Sequence, residues 1–214
     1  MSTTHHLICS EPFRIFFPIG MVLGFIGVSH WGWYYSGITE TYSCNYHGLM
    51  QIQGFEMAFV AGFSMTALPR FLESAPASWW EFGLALTLLL ATAAGLYFED
   101  WWTAETASAL LAGFLLYFCL GRYATRQDEP PPEFALIPFG LLFALTGAIL
   151  VLYPLDGFVK LGQRLVEQGT LLCFLLAYGS YLGPRLIHRK AAEEIEQTRS
   201  SPTRSYTILT GSCF

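Results

Sequence analysis

The sequence predicts an all-α polytopic membrane protein with six transmembrane helices and both termini cytoplasmic. Three observations carry this. Of 214 residues, 53% are hydrophobic and only 13% charged, about half the charged share of a soluble domain. The mean hydropathy is +0.43. The apolar residues fall in blocks near 20 residues long, the length that crosses about 30 Å of hydrocarbon. Lysine and arginine are placed asymmetrically, which fixes orientation.

The spans are expected at about 13–35, 46–71, 79–98, 104–123, 134–153 and 165–184. Breakers separate them: Gly37, the Pro69/Pro76 pair, Glu99-Asp100, Pro130-Pro131-Pro132, and Pro154 with Gly157. With six spans, Arg14, Arg70, Arg122, Arg126, Arg185, Arg189, Lys190, Arg199 and Arg204 share one side. Only Lys160 and Arg164 lie opposite. Nine against two makes the first side cytoplasmic. Residues 1–186 form the membrane domain. Residues 187–214 read as a polar cytoplasmic tail, a short helical extension and then disorder.

Other classes are set aside on composition. A net charge of −5 does not call for nucleic acid. Cys9, Cys44, Cys119, Cys173 and Cys213 contain no CxxC pair, so neither a disulfide framework nor a zinc motif is expected. The N-terminus lacks the basic-then-apolar pattern of a cleavable signal peptide. No P-loop, HExxH or hydrolase motif is present.

The second span is the most informative. It is apolar yet carries His47, Gln51, Gln53 and Glu56. An ionisable group in hydrocarbon is costly and is by default a functional-site candidate. On a helical wheel His47, Met50, Gln51, Gly54, Ala58, Ala61 and Met65 share one face, which admits a close neighbour. Glu56 points nearly opposite, with Gln53 beside it. The first span has a matching small stripe, Gly20, Gly24 and Gly27. His30 lies 16 residues beyond Arg14, about 24 Å along the helix, at the depth of His47 on the antiparallel second span. Two histidines at one depth suit the axial positions of a haem or a copper site. Cys44 and Met50 are weaker soft donors nearby. Each of these groups has a plainer role open to it. An interfacial histidine can be a hydrogen-bonded structural residue, methionines at helical spacing pack, and Glu56 can be neutral or paired.

The segment Glu11-Pro12-Phe13-Arg14-Ile15-Phe16-Phe17 resembles the PFRPFF-type entry to the first span of NnrS-type membrane proteins. Tyr46-His47, Gly54-Phe55 and Ala61-Gly62-Phe63-Ser64-Met65-Thr66-Ala67-Leu68-Pro69 resemble that family's second helix, with ungapped spacing. The resemblance covers about the first 70 residues. It implies haem b and copper, and a role in nitric oxide or nitrosative-stress metabolism at a bacterial inner membrane. It carries His47 onto the first histidine of the family's His-x-His-Glu. The other two positions hold Leu49 and Met50, so another ligand is expected, from Met50, Cys44 or His30. The chain is about half the family's usual length, which fits a short branch, a half that dimerises or a truncated product. Expected partners are the lipid bilayer, a second copy or a redox partner protein. Two other functions stay open: a transporter or channel subunit with a midplane Glu56 site, and a structural or assembly subunit of a redox complex. Whether the chain is an enzyme is left open.

Overall fold

The computed structural model describes residues 9–40, 42–153 and 157–187, and every regular element among them is helical. Six helical rods follow one another. α1 is Phe13–Tyr35. α2 spans residues 44–71 as Cys44–Leu49, a π-helical segment Met50–Glu56, and Met57–Phe71. α3 is Trp79–Tyr97 and α4 is Trp101–Ala124. α5 is Pro132–Leu152, opening with a 3-10 turn. α6 comprises Val159–Arg164, a π-helical segment Leu165–Gly169, and Thr170–Ile187.

Five of these rods, α1, α3, α4, α5 and α6, are long and apolar enough to cross a membrane. Residues 44–71 are not among them, because Gln51, Gln53 and Glu56 lower the mean hydropathy of that rod. Its length is nonetheless 28 residues from Cys44 to Phe71. Length and composition thus show five spans of the six expected. The tail expected at 187–214, with its four cationic residues, lies outside the described residues apart from Ile187.

Several boundaries differ from the sequence reading, each for a local reason. α2 starts at Cys44 because Ser43 caps it: its hydroxyl accepts from Tyr46 N at 3.1 Å. α4 starts at Trp101 because the Asp100 carboxylate accepts from Thr103 N at 3.2 Å. α3 begins with a full capping box between Ser78 and Glu81. Pro18, Pro69 and Pro184 lie inside helices and end none of them. The spans are also less regular than expected, since α2 and α6 each contain a π-helical segment.

α2 is the hub. It packs on α1, α3 and α4, and Ser64 Oγ lies 2.9 Å from Tyr178 Oη on α6. Its buried residues include Met50, Gln53, Met57, Ala58, Ala61, Met65 and Leu68. The small stripe of α1 faces it as expected. A Cβ on Gly20 would meet Ala58 Cβ at 3.0 Å, and one on Gly24 would meet Phe55 Cδ2 at 2.8 Å. At the other end of the interface a Cβ on Gly62 would meet Phe16 Cβ at 2.9 Å. Small residues here replace the hydrophobic effect, which cannot drive helix association in lipid, with close van der Waals contact.

Charge marks one end of the bundle, the arginine end. Glu11 pairs with Arg14 and, at 3.0 Å, with Arg70 at the end of α2. Phe13 N, an orphan donor at the start of α1, finds Thr66 Oγ1 at 3.1 Å. Two of the segments that carried the family resemblance, Glu11–Phe17 and Ala61–Pro69, are therefore joined in space, through Thr66 and the adjoining Arg70. Nearby, Arg122 pairs with Glu81 at 2.9 Å while lying over the Phe118 ring at 4.4 Å. This pair is largely buried, and it ties the start of α3 to the end of α4.

Two outcomes follow. Gly95 packs against the start of α4, where a Cβ would lie 2.6 Å from Ala104 N and 2.9 Å from its Cα. Backbone cannot swing aside, so Gly95→Ala should destabilise by about 1–3 kcal/mol. Gly83, with nothing within 4 Å, should accept alanine without loss. Thermal unfolding of the detergent-solubilised variants separates the two.

The second concerns Glu11, whose carboxyl is held below its ordinary value by hydrogen bonds from Arg14 and then Arg70. A depressed folded value means the contribution is full above about pH 4.3, the unfolded value, and is lost as pH falls through the folded one. The thermal midpoint should fall on acidification below that pH, and Glu11→Gln should flatten the fall. An identical acid limb in wild type and variant would refute it.

Candidate functional site

The polar residues of α2 gather at the opposite end, the histidine end, near residues 36–43. His47 Nδ1 lies 2.9 Å from Gly27 O. A carbonyl only accepts, so Nδ1 carries the proton and Nε2 keeps its lone pair. Nε2 makes no hydrogen bond among the described residues. One turn on, Gln51 Nε2 donates to Gly24 O at 2.9 Å. Both carbonyls are interior to α1 and accept on the second lone pair. The glycines permit this approach: a Cβ on Gly27 would sit 2.5 Å from Gln51 Nε2 and 3.0 Å from Met50 Cγ. An imidazole held through Nδ1–H by a backbone carbonyl, with Nε2 free, is the arrangement that orients a metal-ligating histidine.

His30 is used differently. It is 8% exposed, and its Nε2 accepts from Ser43 N at 3.0 Å. It stacks on Tyr42 at 5.4 Å and tilts against Tyr46 at 4.6 Å. The ring therefore anchors the cap residue of α2 to α1, and of its two nitrogens only Nδ1 is left. His30 and His47 lie at the same end, as depth along the helices predicted. The hydrogen bonds, however, assign His30 a structural task.

The remaining expected donors diverge. Cys44 is an exposed free thiol. Met50 is 1% exposed, and its sulfur packs over Gly54. Among the described residues no group of three or more His, Cys, Asp or Glu gathers around a common point.

Gln53 and Glu56 do not turn toward His47. Gln53 is 2% exposed, and its Nε2 donates to Glu105 Oε2 on α4 at 2.9 Å. Gln53 Oε1 and Glu56 Oε2 are buried without a hydrogen-bond partner. Both residues belong to the π-helical segment, whose wider turn shifts the phase of side chains and which recurs at functional sites. Glu105, 4% exposed, is the residue that sequence reasoning missed. It lay at the edge of the expected fourth span, and the apolar block hid it. Its signal was a carboxylate one turn inside an N-terminus capped by Asp100.

Glu105 also lines a cleft of about 190 Å3 at the histidine end, with Asn45, Leu49, Trp101, Val151, Gln163, Val166 and Glu167. Glu167 comes from the second π-helical segment. The second π-helical segment thus lines the cleft, and Gln53 of the first bonds to Glu105 in its wall.

Comparison with curated proteins and with solved structures gives no match. The family model described as NnrS protein matches residues 7–212. The match runs well past the first 70 residues in which the motifs were legible, and it takes in all six rods. The chain belongs to the NnrS family.

Proposed function

We propose that this chain is a six-span integral membrane protein, both termini cytoplasmic, that holds haem b through His47 and acts in nitric oxide or nitrosative-stress chemistry. The observation that carries it is the His47 imidazole, fixed by Gly27 O through Nδ1 with Nε2 left free. Membership of the NnrS family supports the same reading.

The membrane placement rests on five apolar rods and on aromatic girdles. Trp31, Tyr34, Tyr35, Tyr97, Phe98, Trp102, Tyr153 and Phe158 are exposed at the histidine end. Trp79 and Trp80 are exposed near the arginine end. Aromatic rings of this kind sit at headgroup level. α2 crosses as the sixth span because its polar groups face protein: Gln51 meets α1 and Gln53 meets α4. Hydrocarbon demands such internal partners, and the amide donors of both glutamines have them. The excess of arginine at the other end makes that end cytoplasmic.

The donor set fits haem better than a copper centre built within one chain. One imidazole is oriented and free, His30 Nε2 is taken by Ser43, and Met50 is packed in the core. Haem held there by His47 would supply a binding place for a small diatomic molecule and one-electron redox chemistry. The chain's own contribution is to set the tautomer of His47, and to hold the ring by the Gly24/Gly27 contact with α1. Copper, if bound, would draw on His47 and the exposed Cys44 one turn away.

A transport reading has one observation in its favour. Glu105, bonded to Gln53, adds a buried carboxylate that faces the π-helical segment of α2 from α4. Nothing in the structure singles out the assembly-subunit reading.

The test is an absorption spectrum of the detergent-purified protein, oxidised and dithionite-reduced, with iron and copper quantified on the same sample. Haem bands that His47→Ala abolishes, while His30→Gln retains them, are expected. Glutamine keeps an acceptor for Ser43 N, so that variant isolates ligation from capping. Haem bands unchanged in His47→Ala would overturn the assignment, as would protein that binds neither metal when reconstituted.

A further inference from the structure

Gln53 of α2 and Glu105 of α4 meet in the interior of the bundle, 2% and 4% exposed. The Gln53 amide donates from Nε2 to Glu105 Oε2 at 2.9 Å. Among the described residues that amide is the one hydrogen-bond donor to the Glu105 carboxyl, and the ion pairs all join other residues. A carboxylate taken out of water needs a countercharge or several donors. The neighbouring helices bring neither. α3 packs on the start of α4 through Gly95 against Ala104. α5 brings Val151 to the cleft that Glu105 lines, and α6 brings Gln163, Val166 and Glu167. The other titratable side chain in that lining, Glu167, carries the same sign of charge as Glu105.

The Gln53 amide makes the same demand from the other side of the contact. Its Oε1 is buried and has no donor. That oxygen shares a carbon with the nitrogen that touches Glu105, so it belongs to the same head-to-head contact. An ionised carboxyl holds only acceptors and offers it nothing. A protonated carboxyl has an O–H donor and a carbonyl acceptor, and an amide has the complementary pair. The two heads can then bond in both directions, N–H to the acid carbonyl and acid O–H to Gln53 Oε1. Turning the amide over leads to the same place. Oε1 would then face the carboxyl, and only a protonated carboxyl could bond to it.

We infer that Glu105 is a proton-binding site, carrying an exchangeable proton that it donates to Gln53 Oε1 and takes from water at the histidine end of the bundle. Access is through the cleft of about 190 Å3, which Glu105 lines together with Asn45 and Gln163, both exposed. That volume admits several waters, each with a share of about 30 Å3. On loading, a hydronium ion in the cleft gives its proton to a Glu105 oxygen and departs as water. The new O–H bonds to Gln53 Oε1. On release, the O–H bond breaks, a water takes the proton, and the carboxylate keeps the amide N–H. Gln53 gains or loses one hydrogen bond in each exchange, and it sits in the π-helical segment Met50–Glu56. A proton on α4 is thereby registered on α2. Carboxyl groups buried among membrane spans serve as proton relays in other proteins. The site does not use His47, and it stands whether or not the chain holds haem.

The experiment uses the full chain in detergent at neutral pH. Infrared spectra are recorded over the carbonyl stretch of protonated carboxylic acids, first in water and then after perfusion with D2O. Wild type, Glu105→Gln, Gln53→Leu and Glu56→Gln are compared. Wild type should show an acid-carbonyl component that Glu105→Gln removes and Glu56→Gln retains. D2O should move that component to lower wavenumber. Gln53→Leu, which takes away both bonds to the acid, should move it to higher wavenumber. Glutamine at 105 offers both an oxygen and an N–H to the Gln53 amide, so the contact survives in that variant. A Glu105→Gln spectrum that superimposes on wild type overturns the inference, and so does a component that D2O leaves in place. Should Glu105→Gln fail to fold, Gln53→Leu carries the test, and an unmoved component there overturns the pairing. Haem bands should be the same in Glu105→Gln as in wild type, which keeps this outcome separate from the assignment of His47.

Discussion

The close approach of α1 and α2 is the constraint on which the rest of the molecule depends. In lipid no hydrophobic force pushes helices together, so contact must come from shape and from polar groups with nowhere else to go. Gly20, Gly24 and Gly27 remove side chains along one stripe of α1, and Phe55, Phe59 and Ala58 fill the space. The same absence of Cβ atoms bares two backbone carbonyls to α2. Gln51 and His47, one turn apart, donate to them at 2.9 Å each. Packing and hydrogen bonding are therefore one interaction, and a larger residue at Gly27 would disturb both. At the far end of this helix pair, Thr66 caps Phe13 N and Arg70 pairs with Glu11. The two helices are thus pinned along their whole length, and the tautomer of His47 follows from that pinning.

The second half of the design is the phase change in α2. An unbroken α-helix from Cys44 to Phe71 would repeat every 3.6 residues, and one face would have to serve every neighbour. The π-helical segment Met50–Glu56 alters the repeat within that length. His47 and Gln51 can then address α1, while Gln53 reaches Glu105 on α4. Beyond the segment Ala58 returns to α1. The cost is visible in the two oxygens, on Gln53 and Glu56, that lack donors. π-Helical turns of this kind often lie where a helix gives up regularity for function. Two such turns occur in one bundle, each in the half of its rod nearer the histidine end.

Much of this was legible in the sequence. Apolar block length located α1 to its residue limits and α2 to α5 to within about three residues, while α6 begins six residues before the expected 165. The small stripe of α1 and the His47/Gln51 face of α2 were readable from a helical wheel, because glycine spacing and polar spacing both follow the helix repeat. Three features were not. The π-helical segment leaves no pattern in a period-3.6 reading, so the reach of Gln53 to α4 was invisible. Glu105 sat where an apolar block gave way to a polar turn, and its burial depends on Trp101 and Asp100 starting α4 a turn early. The duty of His30 is decided by the backbone N–H of Ser43, which no residue pattern announces. In each case the hidden partner was a backbone group or a residue more than ten positions away.

The division of labour between the two histidines follows from that last point. Both sit at one end of the α1–α2 pair, and depth alone made them look equivalent. Their hydrogen bonds have opposite polarity. Gly27 O can only accept, so it holds the proton of the neutral His47 ring on Nδ1 and leaves the lone pair on Nε2. Ser43 N can only donate, so it occupies the lone pair of His30 Nε2 and leaves Nδ1 to carry the proton of the neutral ring. A neutral imidazole has one lone pair, and His30 has already given its own to the cap of α2. Of the two imidazoles, the one with an electron pair left for a Lewis acid is His47. The fold therefore singles out one nitrogen from four, and it does so with backbone atoms, through the tautomers they impose.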